Sequence, residues 1–149
     1  MAVFFKVQRY LYSIGTGDFL FAFFSTVAVR LENGRWGSRF PAIMRELYQG
    51  ELPVSHLEKA ESELMRIQKE LQALPVTDVV WDFHDQKKRP IWEGIIDRDI
   101  RNLADFFITN SGADLFDNLF HAIRHAESVQ ESVRIESYIL EDTEFRESK

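Results

Sequence analysis

The sequence contains no cysteine, few prolines and glycines, and no long hydrophobic run. Without cysteine, neither a disulfide framework nor a thiolate metal site can form. Only 4 prolines and 7 glycines occur, which argues against long disordered tracts. The most apolar stretch, residues 19–29, is much shorter than the roughly 20 residues that cross a bilayer, so we expect no membrane segment. The N-terminus lacks the pattern of an export signal, and the cytoplasm is the expected compartment.

Length and charge limit the number of domains and the kinds of partner that this chain can have. A chain of 149 residues has the usual size of one domain, and we expect that domain over residues 1–140, followed by a charged, frayed tail over 141–149. The formal charge of -6 has the wrong sign for holding nucleic acid through its phosphates. The acidic excess serves solubility, which is its commoner role, and it also suits a cationic protein partner.

Hydrophobic periodicity predicts an α+β fold with one domain. Alternating apolar residues predict strands over residues 2–12 and 133–140, and short apolar runs predict two more over 78–83 and 106–109. Helical spacing predicts four helices, over residues 19–31, 41–49, 55–73 and 115–128. The helix over 19–31, with Asp18 as its expected N-cap, is apolar on nearly every side, so the other elements should pack around it. We therefore expect a small mixed β-sheet of about four strands packed by four helices.

The helix over 55–73 carries a narrow stripe of apolar residues with steps of three and four. The stripe consists of Leu57, Ala60, Leu64, Ile67, Leu71 and Leu74. Because a coiled coil usually needs three or four heptads, this shorter run favours packing within the chain. A homodimer through the stripe is the alternative, and we expect a monomer or a weak homodimer.

One loop could carry catalysis. Asp82, His84 and Asp85 follow a predicted strand, and two acids with a histidine could serve a small hydrolase or a nuclease-like enzyme. No serine or lysine motif accompanies them, and exposed turn residues explain the cluster as well. We therefore expect a protein that is not an enzyme.

Two further motifs could hold a metal or a cofactor. His121 and His125 lie four apart on a predicted helix, but two histidines do not complete a metal site. The glycine turn at residues 15–17 lacks the third glycine of a dinucleotide motif, and its acidic neighbour Asp18 would repel a pyrophosphate. The sequence thus predicts neither a metal nor a cofactor.

Three large aromatic residues, Trp36, Tyr48 and Trp92, lie in or beside predicted loops. Such rings most often close the edge of a core, and the alternative is that they anchor an interface.

Six segments in order along the chain resemble a family of bacterial immunity proteins from polymorphic toxin systems, the immunity-protein family numbered seventy. They are GTGDFLFAFFST (15–26), GSRFP (37–41), ELYQGEL (46–52), VVWDFHD (79–85), PIWEGI (90–95) and FFITNSGADLF (106–116). The resemblance covers about residues 1–128. In one departure, Glu93 separates Trp92 from Gly94, where the family has tryptophan and glycine adjacent.

The resemblance implies an inhibitor that binds and occludes a cognate toxin without chemistry of its own. Carboxylates could mimic substrate phosphates if that toxin is a nuclease. For the partner-binding residues we expect the acids and the large ring of the loops after residue 81, because such positions make plausible anchors. They are Asp82, Asp85, Trp92, Glu93, Asp97 and Asp99.

Overall fold

The computed structural model describes residues 2–88 and 100–138. Four strands are present, β1 (Ala2–Val7), β2 (Tyr10–Thr16), β3 (Glu51–Leu52) and β4 (Val133–Tyr138). The α-helices are α1 (Gly17–Thr26), α2 (Leu57–Gln72), α3 (Leu103–Phe106) and α4 (Leu115–Val129). A first π-helix (Val27–Leu31) continues α1, a second π-helix covers Ala42–Leu47, and 3₁₀ turns cover Val54–His56 and Val76–Asp78. The predicted tail over 141–149 lies outside the described residues.

The strands form one sheet in the order β2-β1-β4-β3. This confirms the expected single-domain α+β fold with four strands, but the sheet is not mixed, because every pairing among the described strands is antiparallel. The predicted strand over 2–12 is a hairpin in which Gln8 and Arg9 form the turn. Gln8 has a φ of 55°, and a positive φ at this place is what a two-residue hairpin requires.

Two predicted strands are wrong. Residues 76–78 form a 3₁₀ turn, and the backbone of Val80 bonds to the side chain of Thr26 and not to another strand. Residues 103–106 form α3, and of the predicted strand over 106–109 only Ile108 makes a bridge, to Asp114. The apolar composition that suggested strands reflects burial instead, since Val79 and Val80 are buried outside any strand.

Helix α1 lies in the core as its composition predicts. Phe23 and Phe24 are each 1% exposed, and the ring of Phe23 packs edge-on against Phe107 and Phe116. Asp18 is not the N-cap. Thr16 keeps an extended backbone and its hydroxyl accepts a hydrogen bond from the Phe19 N–H at 3.1 Å, so the helix begins one residue before Asp18.

The apolar stripe of α2 faces the core. Leu57, Ala60, Leu64, Ile67 and Leu71 are at most 2% exposed, which confirms packing within the chain and leaves little of the stripe for a homodimer. Every helix among the described residues is too short or too polar to cross a membrane.

Candidate functional site

Two hydroxyls of α1 hold the segment that leads to the predicted catalytic loop. Ser25 and Thr26 are fully buried. The Thr26 hydroxyl accepts a hydrogen bond from the N–H of Val80 at 3.0 Å and donates one to its carbonyl oxygen at 3.1 Å. The Ser25 hydroxyl accepts from the N–H of Phe83 at 3.0 Å. These bonds take the place of pairing with a neighbouring strand, and they hold the segment that enters the turn over residues 82–85.

That turn joins Asp82 to the backbone of His84 and not to its imidazole ring. A carboxylate oxygen of Asp82 accepts a hydrogen bond from the backbone N–H of His84 at 2.8 Å, and the other oxygen lies 3.9 Å from the Lys88 ammonium. The His84 ring stacks on Phe21 with centroids 5.9 Å apart. Asp85 is exposed. The arrangement is therefore that of an aspartate-stabilised turn, the plainer of the two sequence interpretations.

Asp82 and Asp85 are the only members of the predicted partner-binding set that fall in the described part of the chain. Asp82 is about one-quarter exposed at its side chain and Asp85 is exposed, so both are open to a partner. Trp92, Glu93, Asp97 and Asp99 lie outside the described residues.

The buried carboxylate of Glu32 organises the loop that contains Trp36. Glu32 is 2% exposed and accepts three backbone hydrogen bonds, from the N–H groups of Gly37 at 2.9 Å and of Arg39 and Phe40 at 3.0 Å each. A buried carboxylate needs such donors to replace its lost hydration. The loop is thus held in one conformation by a residue that precedes it.

Two glutamates of α2 hold the end of the same loop through hydrogen bonds. Glu70 pairs with Arg39 through two hydrogen bonds of 2.8 and 2.7 Å, and this bonding lowers the pKa of Glu70. Glu63 accepts from the N–H groups of Ala42 at 3.3 Å and Ile43 at 3.0 Å, where the second π-helix begins and its first donors lack partners within the helix. Burial raises the pKa of Glu63.

An apolar groove lies between the second π-helix and the Asp82 turn. Its volume is about 320 Å³. Trp36 lies between Tyr48 and Phe83, with ring centroids 4.8 and 5.1 Å away, and its indole N–H donates to the Met44 carbonyl at 2.6 Å. We call this feature the aromatic groove, which is lined by Trp36, Met44, Arg45, Tyr48, Gln49, Phe83 and His84.

Part of the aromatic groove is predictable from the sequence. Trp36 and Tyr48 were singled out as loop aromatics, and the structure leaves Trp36 half-buried and Tyr48 42% exposed. Arg45 and Phe83 were not singled out. One signal was available, because residues 44, 45, 48 and 49 recur at a spacing of four and so share one face of a helix.

The paired histidines of α4 have separate surroundings. His121 is exposed, whereas Nδ1 of His125 is 2.9 Å from the Tyr12 hydroxyl. Within residues 2–88 and 100–138, no group of three or more histidine, cysteine, aspartate or glutamate side chains could hold a metal ion.

The described residues form a small antiparallel α+β domain with an apolar groove on its surface. Comparison with family models makes the class specific: residues 5–135 match the model of Immunity protein 70. The chain therefore belongs to this immunity-protein family, as its ordered segments indicated, and immunity is its function. Neither the curated proteins nor the solved structures contain a match to this chain.

Proposed function

We propose that this immunity protein neutralises a cognate bacterial toxin by binding it and covering its active site, without catalysis of its own. The observation that carries the proposal is the family match over residues 5–135. The local geometry agrees with it, because Asp82 stabilises a backbone turn and the His84 ring lies on Phe21. In this proposal the binding unit is the single domain over residues 1–140, acting in the cytoplasm as a monomer or a weak homodimer.

A preformed surface supports binding by occlusion. Both walls of the aromatic groove are fixed by buried side chains, Glu32 on one side and Ser25 and Thr26 on the other. A surface that is already ordered loses little conformational entropy when a partner binds. Tight inhibition is therefore compatible with a site of modest size.

The charge of the chain favours a cationic toxin. Its net charge is -6, and the partly exposed Asp82 and the exposed Asp85 adjoin Phe83 and His84 of the aromatic groove along the chain. Carboxylates at such positions resemble the phosphates on which a nuclease acts, and complementary charge accelerates association. A nuclease is therefore the toxin class we propose, with Asp82, Asp85, Trp92, Glu93, Asp97 and Asp99 as the acidic and aromatic contacts.

The direct experiment uses the cognate toxin domain, which is to be sought in the reading frames beside the gene of this chain. Co-expression should restore growth of cells that produce the toxin, and light scattering after size-exclusion chromatography should show a stable complex of the two chains. Loss of growth despite soluble expression of both chains would reject the proposal. Repeated turnover of a substrate by the isolated chain would reject the non-catalytic part.

The charge hypothesis has its own test. The substitution Asp85→Lys should weaken toxin binding, whereas Asp117→Lys, at an exposed position on α4, should change it little. The pair Asp97→Lys with Asp99→Lys should behave like Asp85→Lys. Affinity should also fall as salt is added, because screening weakens attraction between exposed charges. Protection and affinity that survive both reversals would reject the acidic contacts while leaving immunity intact.

A further inference from the structure

We infer that the aromatic groove is the anchor site for the toxin and takes a segment with an apolar side chain next to a carboxylate. This inference rests on the proposed function and names the chemistry that the partner must present. It differs from the acidic contacts proposed above, because here the immunity protein supplies the cation and the apolar surface.

The aromatic walls of the groove favour an apolar side chain in the segment that binds there. Trp36, Tyr48 and Phe83 pack edge to face, and the polar N–H of Trp36 is already bonded to the backbone. The groove of about 320 Å³ is at the small end of the roughly 300–1,000 Å³ found for ligand pockets. It therefore suits a side chain from a protein partner better than a nucleotide.

Arg45, which lines the groove, favours an anionic group in the bound segment. Its side chain runs directly over Gly37, at a place where a Cβ atom would collide with it, and Gly37 has a φ of +80°. Arg45 has no carboxylate partner among the described residues. Four other arginines each have one, namely Arg39, Arg101, Arg124 and Arg134. An exposed guanidinium that lies over the loop backbone, with no acid of residues 2–88 or 100–138 paired to it, can bind a carboxylate of another molecule.

The residue types agree with this assignment. Trp, Tyr and Arg are the residues most enriched among those that dominate binding energy, and they act in pockets that become desolvated on binding. Trp36, Tyr48 and Arg45 supply all three around one concave surface. Asp82 and Asp85 flank Phe83 and His84 in the chain, so they would form the acidic rim around this anchor.

Calorimetric titration with the purified toxin domain tests the groove. Tyr48→Ala should weaken binding about 30-fold, the effect of losing a dominant contact, and Arg45→Gln about tenfold. The matched controls are Tyr10→Ala and Arg9→Gln, because Tyr10 is 56% exposed and Arg9 is also exposed, both at the β1–β2 hairpin. Both should bind within about twofold of the unchanged protein. Circular dichroism melting curves should show all four variants folded at the temperature of the titration, although Tyr48→Ala should melt lower because it loses ring contacts with Trp36 and Phe24.

The outcomes separate the two proposals. If the unchanged protein does not bind the toxin, the proposed function fails and the groove assignment fails with it. If the unchanged protein binds and protects but the Tyr48 and Arg45 variants match their controls, only the groove assignment is overturned. If the isolated chain is a dimer that Tyr48→Ala dissociates, the groove is a contact between copies, which also overturns the assignment.

Cross-linking tests the chemistry of the occupant. A photoreactive p-benzoylphenylalanine in place of Tyr48 should cross-link to one toxin segment, which mass spectrometry identifies. The segment should carry an apolar residue adjacent to aspartate or glutamate. A cross-linked segment rich in lysine and arginine and without an acid would contradict the inference.

Discussion

The loop after the first π-helix and the segment over residues 78–83 are both irregular, yet they are held by different chemistry. Glu32 binds three backbone N–H groups of the loop, whereas Thr26 binds both the N–H and the carbonyl of Val80. A carboxylate only accepts hydrogen bonds, so it suits a turn whose N–H groups converge. A hydroxyl both donates and accepts, so it can replace a neighbouring strand for one residue.

The difference matters for the aromatic groove, because each segment supplies one wall. Trp36 belongs to the loop that Glu32 holds, and Phe83 belongs to the segment that Ser25 and Thr26 hold. The width of the groove therefore depends on buried polar groups that no partner would touch. Substitutions at those groups should affect stability first and binding second.

The largest effect is expected from Glu32→Ala. The change leaves three N–H groups without their acceptor at a site that is 2% exposed, and hydrogen bonds to a charged group are each worth roughly 1.5–3 kcal/mol. We expect the free energy of unfolding to fall by about 4 kcal/mol. The loss is smaller than three such bonds would give, because water can reach part of the loop. Urea unfolding followed by tryptophan fluorescence measures the change.

Two variants calibrate that result. Glu32→Gln keeps one acceptor oxygen and should lose about half as much stability. Glu131→Ala, at an exposed position, should stay within about 0.5 kcal/mol of the unchanged protein. A loss below about 1 kcal/mol for Glu32→Ala would mean that the carboxylate does not hold the loop.

Removing the Thr26 hydroxyl should cost less stability than removing the Glu32 carboxylate. Thr26→Val preserves shape but leaves the N–H and carbonyl of Val80 unpaired, and Val80 is 2% exposed. We expect the free energy of unfolding to fall by about 2 kcal/mol, because each unsatisfied buried group costs roughly 1–3 kcal/mol and local relaxation recovers part of that cost. Thermal unfolding measures this loss, and the control is Thr77→Val, at an exposed threonine. Equal melting temperatures for the two variants would contradict the role of Thr26.

The regular parts of the fold were predictable where spacing was strict. The helices predicted over 55–73 and 115–128 became α2 (Leu57–Gln72) and α4 (Leu115–Val129), because their apolar residues mark one continuous face. The hairpin of β1 and β2 was missed, since Gln8 and Arg9 carry none of the glycine or asparagine that usually marks a two-residue turn.

The irregular parts were not predictable, because their partners are distant in the chain. Thr26 and Val80 are 54 positions apart, so nothing local showed that residues 78–83 bond to a helix and not to a strand. For the candidate site, the sequence drew attention to Trp36 and Tyr48 but not to Arg45. The missing information was the path of the Arg45 side chain over Gly37, which depends on the loop that Glu32 holds.

The ion pair between Arg39 and Glu70 should contribute less than either buried contact. Its side chains are 39% and 33% exposed, so solvent screens the charges. Arg39→Lys keeps the charge but cannot make two parallel bonds to Glu70 and a third to the Leu31 carbonyl, and we expect a loss of about 1 kcal/mol. Urea unfolding measures the loss, and the control is Arg66→Lys, at an exposed position on α2, the helix that carries Glu70. Indistinguishable midpoints would mean that the pair of Arg39 and Glu70 does not stabilise the loop.

The smallest effect is a pH dependence in which Glu63 and Glu70 act in opposite directions. Burial raises the pKa of Glu63 above its ordinary 4.5, so the folded protein keeps this proton to higher pH than the unfolded chain does. The contribution of Glu63 to stability therefore decreases as pH rises from 4.5 through the raised pKa. The bonds from Arg39 lower the pKa of Glu70, so its contribution is present above 4.5 and is lost as pH falls through the lowered pKa.

Unfolding free energies measured from acidic to neutral pH distinguish the two groups. The stability difference between the unchanged protein and Glu63→Gln should shrink as pH rises, whereas the difference from Glu70→Gln should grow. Each variant serves as the control for the other, because both remove one carboxylate from α2. Curves of the same slope would mean that burial does not dominate at Glu63. Because Glu63 bonds the first N–H groups of the second π-helix, such a result would also mean that this helix, with Arg45 and Tyr48 beyond it, is fixed mainly by packing of its apolar face.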